Sequence, residues 1–111
     1  MTDWSSKSCP SYRVVIYIAG NYDDILRECK KYCTDNSYCV SVAPNDYPYK
    51  YGYESGAAIT LINYPRFPDE ESNILGKAHD LGLQLAESLH QGSFTIFDQE
   101  LSTFFSRKVG A

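Results

Sequence analysis

Tyr12-Arg-Val-Val-Ile-Tyr-Ile-Ala19 is the stretch around which the rest of the chain must arrange itself. Its β-branched and aromatic residues are those of a strand. Val14, Ile16 and Ile18 alternate onto one side, and Val15 and Tyr17 onto the other. Apolar groups on both sides predict a strand covered on both faces at least in part, which puts it inside a sheet rather than at its edge.

Outward from that strand, Gly20-Asn21 stops the extended run, and Asn21 is a good helix N-cap. Asp23 and Asp24 follow in the first turn, where acids favour the helix dipole. Tyr22, Ile25, Leu26, Cys29, Tyr32 and Cys33 recur at helical spacing, and Asp35-Asn36-Ser37 ends the helix, with Asn36 suited to the left-handed conformation. Tyr38 to Ala43 reads as a second strand, broken by Pro44-Asn45-Asp46. Ala57 to Tyr64 reads as a third, closed by Pro65-Arg66-Phe67-Pro68. Asp69 is the expected cap of the longest helix, whose stripe is Ile74, Ala78, Leu81, Leu85 and Leu89, with Gly92 as its stop. Ser93 to Phe97 is a short fourth strand, and Asp98 is placed to cap a final short helix carrying Leu101, Phe104 and Phe105.

The order strand, helix, strand, strand, helix, strand is the split βαβ pattern. It predicts an α+β fold: a ferredoxin-like two-layer sandwich (βαββαβ), with a four-stranded antiparallel sheet, two helices on one face and a short C-terminal extension. A chain of 111 residues fits one domain, here 12–111, behind a polar leader at 1–11 expected to be flexible. Such a topology hosts many unrelated activities and does not by itself indicate one.

Composition removes several classes. The net charge is −4, and the ten basic residues are scattered, which makes nucleic acid an unlikely partner. No apolar run approaches the roughly 20 residues that span a bilayer, so no membrane is expected. The first residues lack the apolar centre of a signal peptide, and a cytoplasmic setting with reduced cysteines is expected. None of the dinucleotide, Walker, HExxH, G-x-S-x-G or C-x-x-C patterns occurs.

The segment Asp46-Tyr-Pro-Tyr-Lys-Tyr-Gly-Tyr-Glu54 carries the most distinctive pattern. In an extended backbone Tyr47, Tyr49, Tyr51 and Tyr53 would share one face. Pro48 and Gly52 make it an edge strand or extended loop, and a polyproline-like path would scatter the rings. The rings could pack on the domain's own sheet, serve as a recognition surface, or stack on bases.

Elsewhere the residues have plain structural readings. Cys29 and Cys33 sit one helical turn apart on an inner stripe, and with Cys9 and Cys39 they lack zinc-site spacing. Buried free thiols are expected, with neither metal nor cofactor. His79 and His90 are three turns apart on one helix and cannot share a ligand there. Asp69, Glu70 and Glu71 are explained by a helix N-terminus.

The reading these features favour is a small non-enzymatic binding or accessory protein. It would dock a protein partner or itself, as a homodimer, through Tyr47, Tyr49, Tyr51, Tyr53, Lys50, Arg66 and Phe67. A compact acidic domain with no catalytic motif resembles accessory proteins of bacteriophages and mobile elements. The alternative is a small enzyme or ligand-binding domain in which the tyrosine segment is a lid over a pocket.

Overall fold

The computed structural model describes residues 3–107. Residues 1–2 of the expected leader and 108–111 of the expected domain lie outside the described residues. The elements are β1 (Arg13–Ala19), α1 (Tyr22–Asn36), β2 (Ser41–Tyr49), β3 (Gly52–Ile62), α2 (Glu71–Ser88), β4 (Ser93–Phe97) and β5 (Ser102–Ser106). All five strands join one antiparallel sheet in the order β2-β3-β1-β4-β5.

β1 is central, as its two apolar sides require, and Ile16 lies opposite both Ile59 of β3 and Ile96 of β4. Val14, Ile16 and Ile18 face the helices, and Ile25, Cys29 and Tyr32 of α1 pack there with Ile74, Ala78, Leu81 and Leu85 of α2. Fully burying each large aliphatic side chain contributes about 1.5–3 kcal/mol, so this layer holds the fold. Gly82 lets α2 approach β4 closely, because a Cβ there would come within 2.5 Å of the Phe94 ring.

The α+β class, the antiparallel sheet and the two helices agree with the sequence. The four-stranded ferredoxin-like βαββαβ sandwich holds only roughly, because the sheet has a fifth strand. Asp98 caps a turn and not a helix: its carboxylate accepts the Glu100 and Leu101 amides at 2.7 and 2.8 Å. The chain then returns as β5 along β4, with Phe94 opposite Phe105. Those two rings stack at 4.8 Å. The Leu101, Phe104, Phe105 spacing imitates a helix stripe, but Thr103, Phe104 and Phe105 are also strand formers, and the stack on Phe94 decides between the two.

The second difference lies between residues 41 and 62. β2 runs through Pro44 and Pro48, and β3 begins at Gly52, so the tyrosine segment is a hairpin. β2 is an outer strand, where a missing N–H on the solvent side costs no ladder bond. The turn at Lys50-Tyr51 places Tyr51 at φ 70°, in the left-handed region.

Helix ends also differ in detail. Asn21 caps α1 as expected, accepting the Asp24 amide at 3.0 Å. Ser37, not Asn36, takes the left-handed position at its end. Glu70 occupies the N-cap position of α2, while Asp69 beside it accepts the Glu70 amide at 2.8 Å. His90, at φ 55°, terminates α2 two residues before Gly92. The leader is tied to the body where Asn63 donates to the Pro10 carbonyl at 2.8 Å. Among the described residues no helix is long and apolar enough to cross a membrane.

Candidate active site

The sheet face away from the helices carries Val15 and Tyr17 of β1, and the register adds Thr95 of β4, which lies opposite both Tyr17 and Phe104 of β5. On the other side of β1, β3 continues past Gly56 to Glu54, and Tyr47 of β2 lies opposite Glu54. Alternation therefore puts Tyr17, Tyr47, Glu54, Thr95 and Phe104 on one face, from five strands.

These residues surround a cleft of about 370 Å³, closed at the end of the sheet by Gln91 and Gly92 of the α2–β4 connection. Tyr17 and Tyr47 meet edge to face, with centroids 6.5 Å apart and planes at 90°. The Tyr47 hydroxyl donates to the Ala57 carbonyl at 2.6 Å. Burial pushes the Tyr47 phenol above its ordinary pKa, so at neutral pH it stays a neutral donor. Glu54 is exposed at the rim. Among the described residues no salt bridge engages its carboxylate.

Gly56 sets the width of this region. A Cβ there would strike the Ile18 carbonyl oxygen and lie 2.7 Å from the Ala19 Cα. Only glycine lets β3 press against the last turn of β1, where the Gly20 amide also donates to the Ser55 carbonyl at 2.9 Å. The arrangement offers three aromatic rings, from Tyr17, Tyr47 and Phe104, with one carboxylate and amide and hydroxyl groups, on a lining that is more polar than apolar. Such a lining suits a ligand with a flat, polar-edged part and a positive charge.

The residues expected to form a docking surface are not brought together. Tyr47 and Tyr49 lie on the face opposite to that of Tyr53, and Tyr51 is at the tip of the hairpin, 94% exposed. The Lys50 ammonium sits 5.1 Å from the Tyr51 ring centroid. Arg66 and Phe67 lie beyond the far end of β3, an eleven-residue strand. At about 3.3 Å per residue that is roughly 35 Å from the hairpin tip. Phe67 packs on Tyr64 at 5.3 Å, and the Arg66 carbonyl accepts from Lys7 at 3.5 Å. The common stripe of four rings therefore does not exist, because the turn at Lys50-Tyr51 reverses the strand midway. Of the seven residues, only Tyr47 reaches the cleft.

The remaining titratable groups have structural explanations. All four cysteines are free, and burial pushes the Cys29 thiol up to about 12, so in the metal-free protein it is a neutral thiol packed in the core. Among the described residues no three His, Cys, Asp or Glu side chains come together. Asp69 accepts from Asn73 at 2.8 Å and from Lys77 at 3.1 Å, beside a wide groove lined by Tyr12, Asn63 and Glu70. The sequence passes over Tyr17, Glu54, Gln91 and Phe104 as site residues. The one local signal is Tyr17, a polar-tipped ring in an otherwise aliphatic core strand.

No protein-family model matches this chain, and no curated protein matches it. Two solved structures share its fold almost end to end. A phage SAM lyase in its apo state superposes with a TM-score of 0.77 at 14% identity, over 90% of this chain and 92% of the other. A phage SAM lyase in complex with S-methyl-5'-thioadenosine superposes with a TM-score of 0.75 at 12% identity, over 99% and 100%. At such identities the likeness is one of fold. It corrects the expectation of a non-enzymatic accessory protein only so far: both structures that share this frame are SAM lyases, so the small enzyme or ligand-binding domain is the reading better supported. Both of these neighbours are phage proteins.

Proposed function

We propose that this chain binds S-adenosylmethionine in the cleft between Tyr17, Tyr47, Glu54 and Phe104 and cleaves it to release S-methyl-5'-thioadenosine. The observation that carries the reading is a coincidence. The frame shared from end to end with SAM lyases holds, on its open face, a cleft suited to an aromatic-bearing cation. Its volume of about 370 Å³ falls within the roughly 300–1,000 Å³ of small-molecule sites.

The chemistry needs little from the protein. Release of the thioether requires the bond between sulfur and the methionine Cγ to break, with its electron pair going to sulfur. The substrate's own carboxylate can displace the sulfur, forming a C–O bond and a five-membered lactone. No proton moves, and opposite charges cancel as the bonds exchange. Weakly solvating surroundings favour such a step, because the transition state carries less separated charge than the ground state, and the rings of Tyr17, Tyr47 and Phe104 are the part of the lining that supplies them.

Glu54 then has a binding role. A carboxylate near the sulfonium or ammonium strengthens capture, but it favours the charged ground state at least as much as the transition state, so it does not speed bond breaking. Tyr17 and Tyr47 supply ring surface to the cation and to the flat base. Tyr47 is oriented by its bond to the Ala57 carbonyl.

A second balanced route is removal of a Cβ proton by Glu54, giving vinylglycine in place of the lactone. Proton NMR of the amino-acid product separates the two. Lactone supports the reading given, and vinylglycine would assign Glu54 as a base. No thioether release at all contradicts both.

A further inference from the structure

The guanidinium of Arg107 makes three bonds at the C-terminal end of α2. Nε donates to the Gln91 carbonyl at 3.2 Å, Nη2 to the Ala86 carbonyl at 3.1 Å, and Nη1 to the Glu87 carboxylate at 3.3 Å. Its backbone amide donates to the Gly92 carbonyl at 2.9 Å. α2 has no basic residue in its own last turn, and the helix ends through a left-handed His90 with the Gln91 amide on the Ala86 carbonyl at 3.0 Å. Helix C-termini present unpaired carbonyls and partial negative charge, and a planar fork of donors meets both needs.

The segment held this way, Gln91-Gly92, is also the end wall of the cleft. β5 thus serves the site twice, with Phe104 on the cleft face and Arg107 beyond its last residue clasping the wall from the helix side. We infer that Arg107 is a positioning residue: by fixing the carbonyls of Ala86 and Gln91 it sets the Gln91-Gly92 wall, and with it the shape of the cleft that takes the adenosine-bearing ligand. This rests on the adenosine-binding reading given above. Glu87 contributes only charge to the clasp, since its side chain is 73% exposed and the carbonyl bonds do not pass through it.

The test is calorimetric titration with S-methyl-5'-thioadenosine and steady-state kinetics with S-adenosylmethionine, on the full chain and on Arg107→Gln, Arg107→Lys and Glu87→Gln. Arg107→Gln is expected to raise the thioether Kd and the KM by roughly 10-fold, because the wall contributes uniform binding of substrate and product, with kcat within about threefold. Arg107→Lys should fall between, and Glu87→Gln should leave Kd unchanged. A purely structural Arg107 would lower the Tm and the active fraction with Kd and KM unmoved, which overturns the inference. Equal losses in Glu87→Gln and Arg107→Gln would also overturn it, since the ion pair and not the carbonyl clasp would then matter. If Arg107→Gln does not fold, an unchanged Kd in Arg107→Lys serves as the contrary result. Failure of the unsubstituted chain to bind the thioether defeats the adenosine-binding reading itself, and this inference with it.

Discussion

Tyr47 and Glu54 face each other across the β2–β3 pair, so the rim carboxylate of the cleft and one of its three rings are set by one cross-strand register. That pairing exists only because the chain reverses at Lys50-Tyr51. A slip of one residue in β2 would send Tyr47 to the helix side of the sheet, while Glu54, held by the β1–β3 register, stayed on the open face.

Glu54→Gln should therefore raise KM for S-adenosylmethionine by roughly tenfold at low salt, with the difference shrinking as ionic strength rises. Turnover at saturation should stay within about threefold. Initial rates over a substrate series at two salt concentrations check this, and a collapse of kcat would point to the elimination route.

Tyr17→Leu removes a ring from the cation while keeping apolar bulk on the open face. The expected loss is about 1–2 kcal/mol, or roughly 5- to 30-fold in kcat/KM. Thermal denaturation should change little, because Tyr17 is only half-buried. An equal kcat/KM would remove the ring from the site.

Tyr51→Gly should stabilise the fold by about 1 kcal/mol, since a left-handed tyrosine is strained and the ring is 94% exposed. Thioether release should be unaffected. A fall in Tm would mean that the ring makes contacts the hairpin depends on.

Leu81→Ala empties a fully buried site under the sheet and should cost about 2–5 kcal/mol. Urea unfolding measures this directly, and an unchanged midpoint contradicts the packing of α2 on β1.

Asp69 predicts an acid limb. Bonds from the Asn73 side chain, then the Glu70 amide and Lys77, lower its pKa from the usual 3.8 to about 2. A carboxyl depressed in the folded state adds stability that is complete above 3.8 and fades as pH falls towards 2. Asp69→Asn should flatten the loss of Tm between those values, and a Tm profile parallel to that of the unsubstituted chain would refute the assignment.

Much of the frame is legible in the residues. The aliphatic alternation of Val14, Ile16 and Ile18 and the Ile74-to-Leu85 stripe are strong because burial enforces them. β5 is hidden because Leu101, Phe104 and Phe105 satisfy helix and strand spacing alike, and the contact that decides lies on Phe94. The hairpin is hidden because its turn has no Asn-Gly or Pro-Gly signal; Tyr51 takes the strained position itself. The cleft is the least legible part. Tyr17, Glu54, Gln91 and Phe104 come from separate elements, and only the strand order brings them side by side.

The central claim is tested by incubating the purified chain with S-adenosylmethionine and following S-methyl-5'-thioadenosine by chromatography. Thioether appearing in step with substrate loss, and reduced when Tyr17 and Glu54 are replaced together, is the expected result. Intact substrate after prolonged incubation, with no thioether binding by calorimetry, would contradict it.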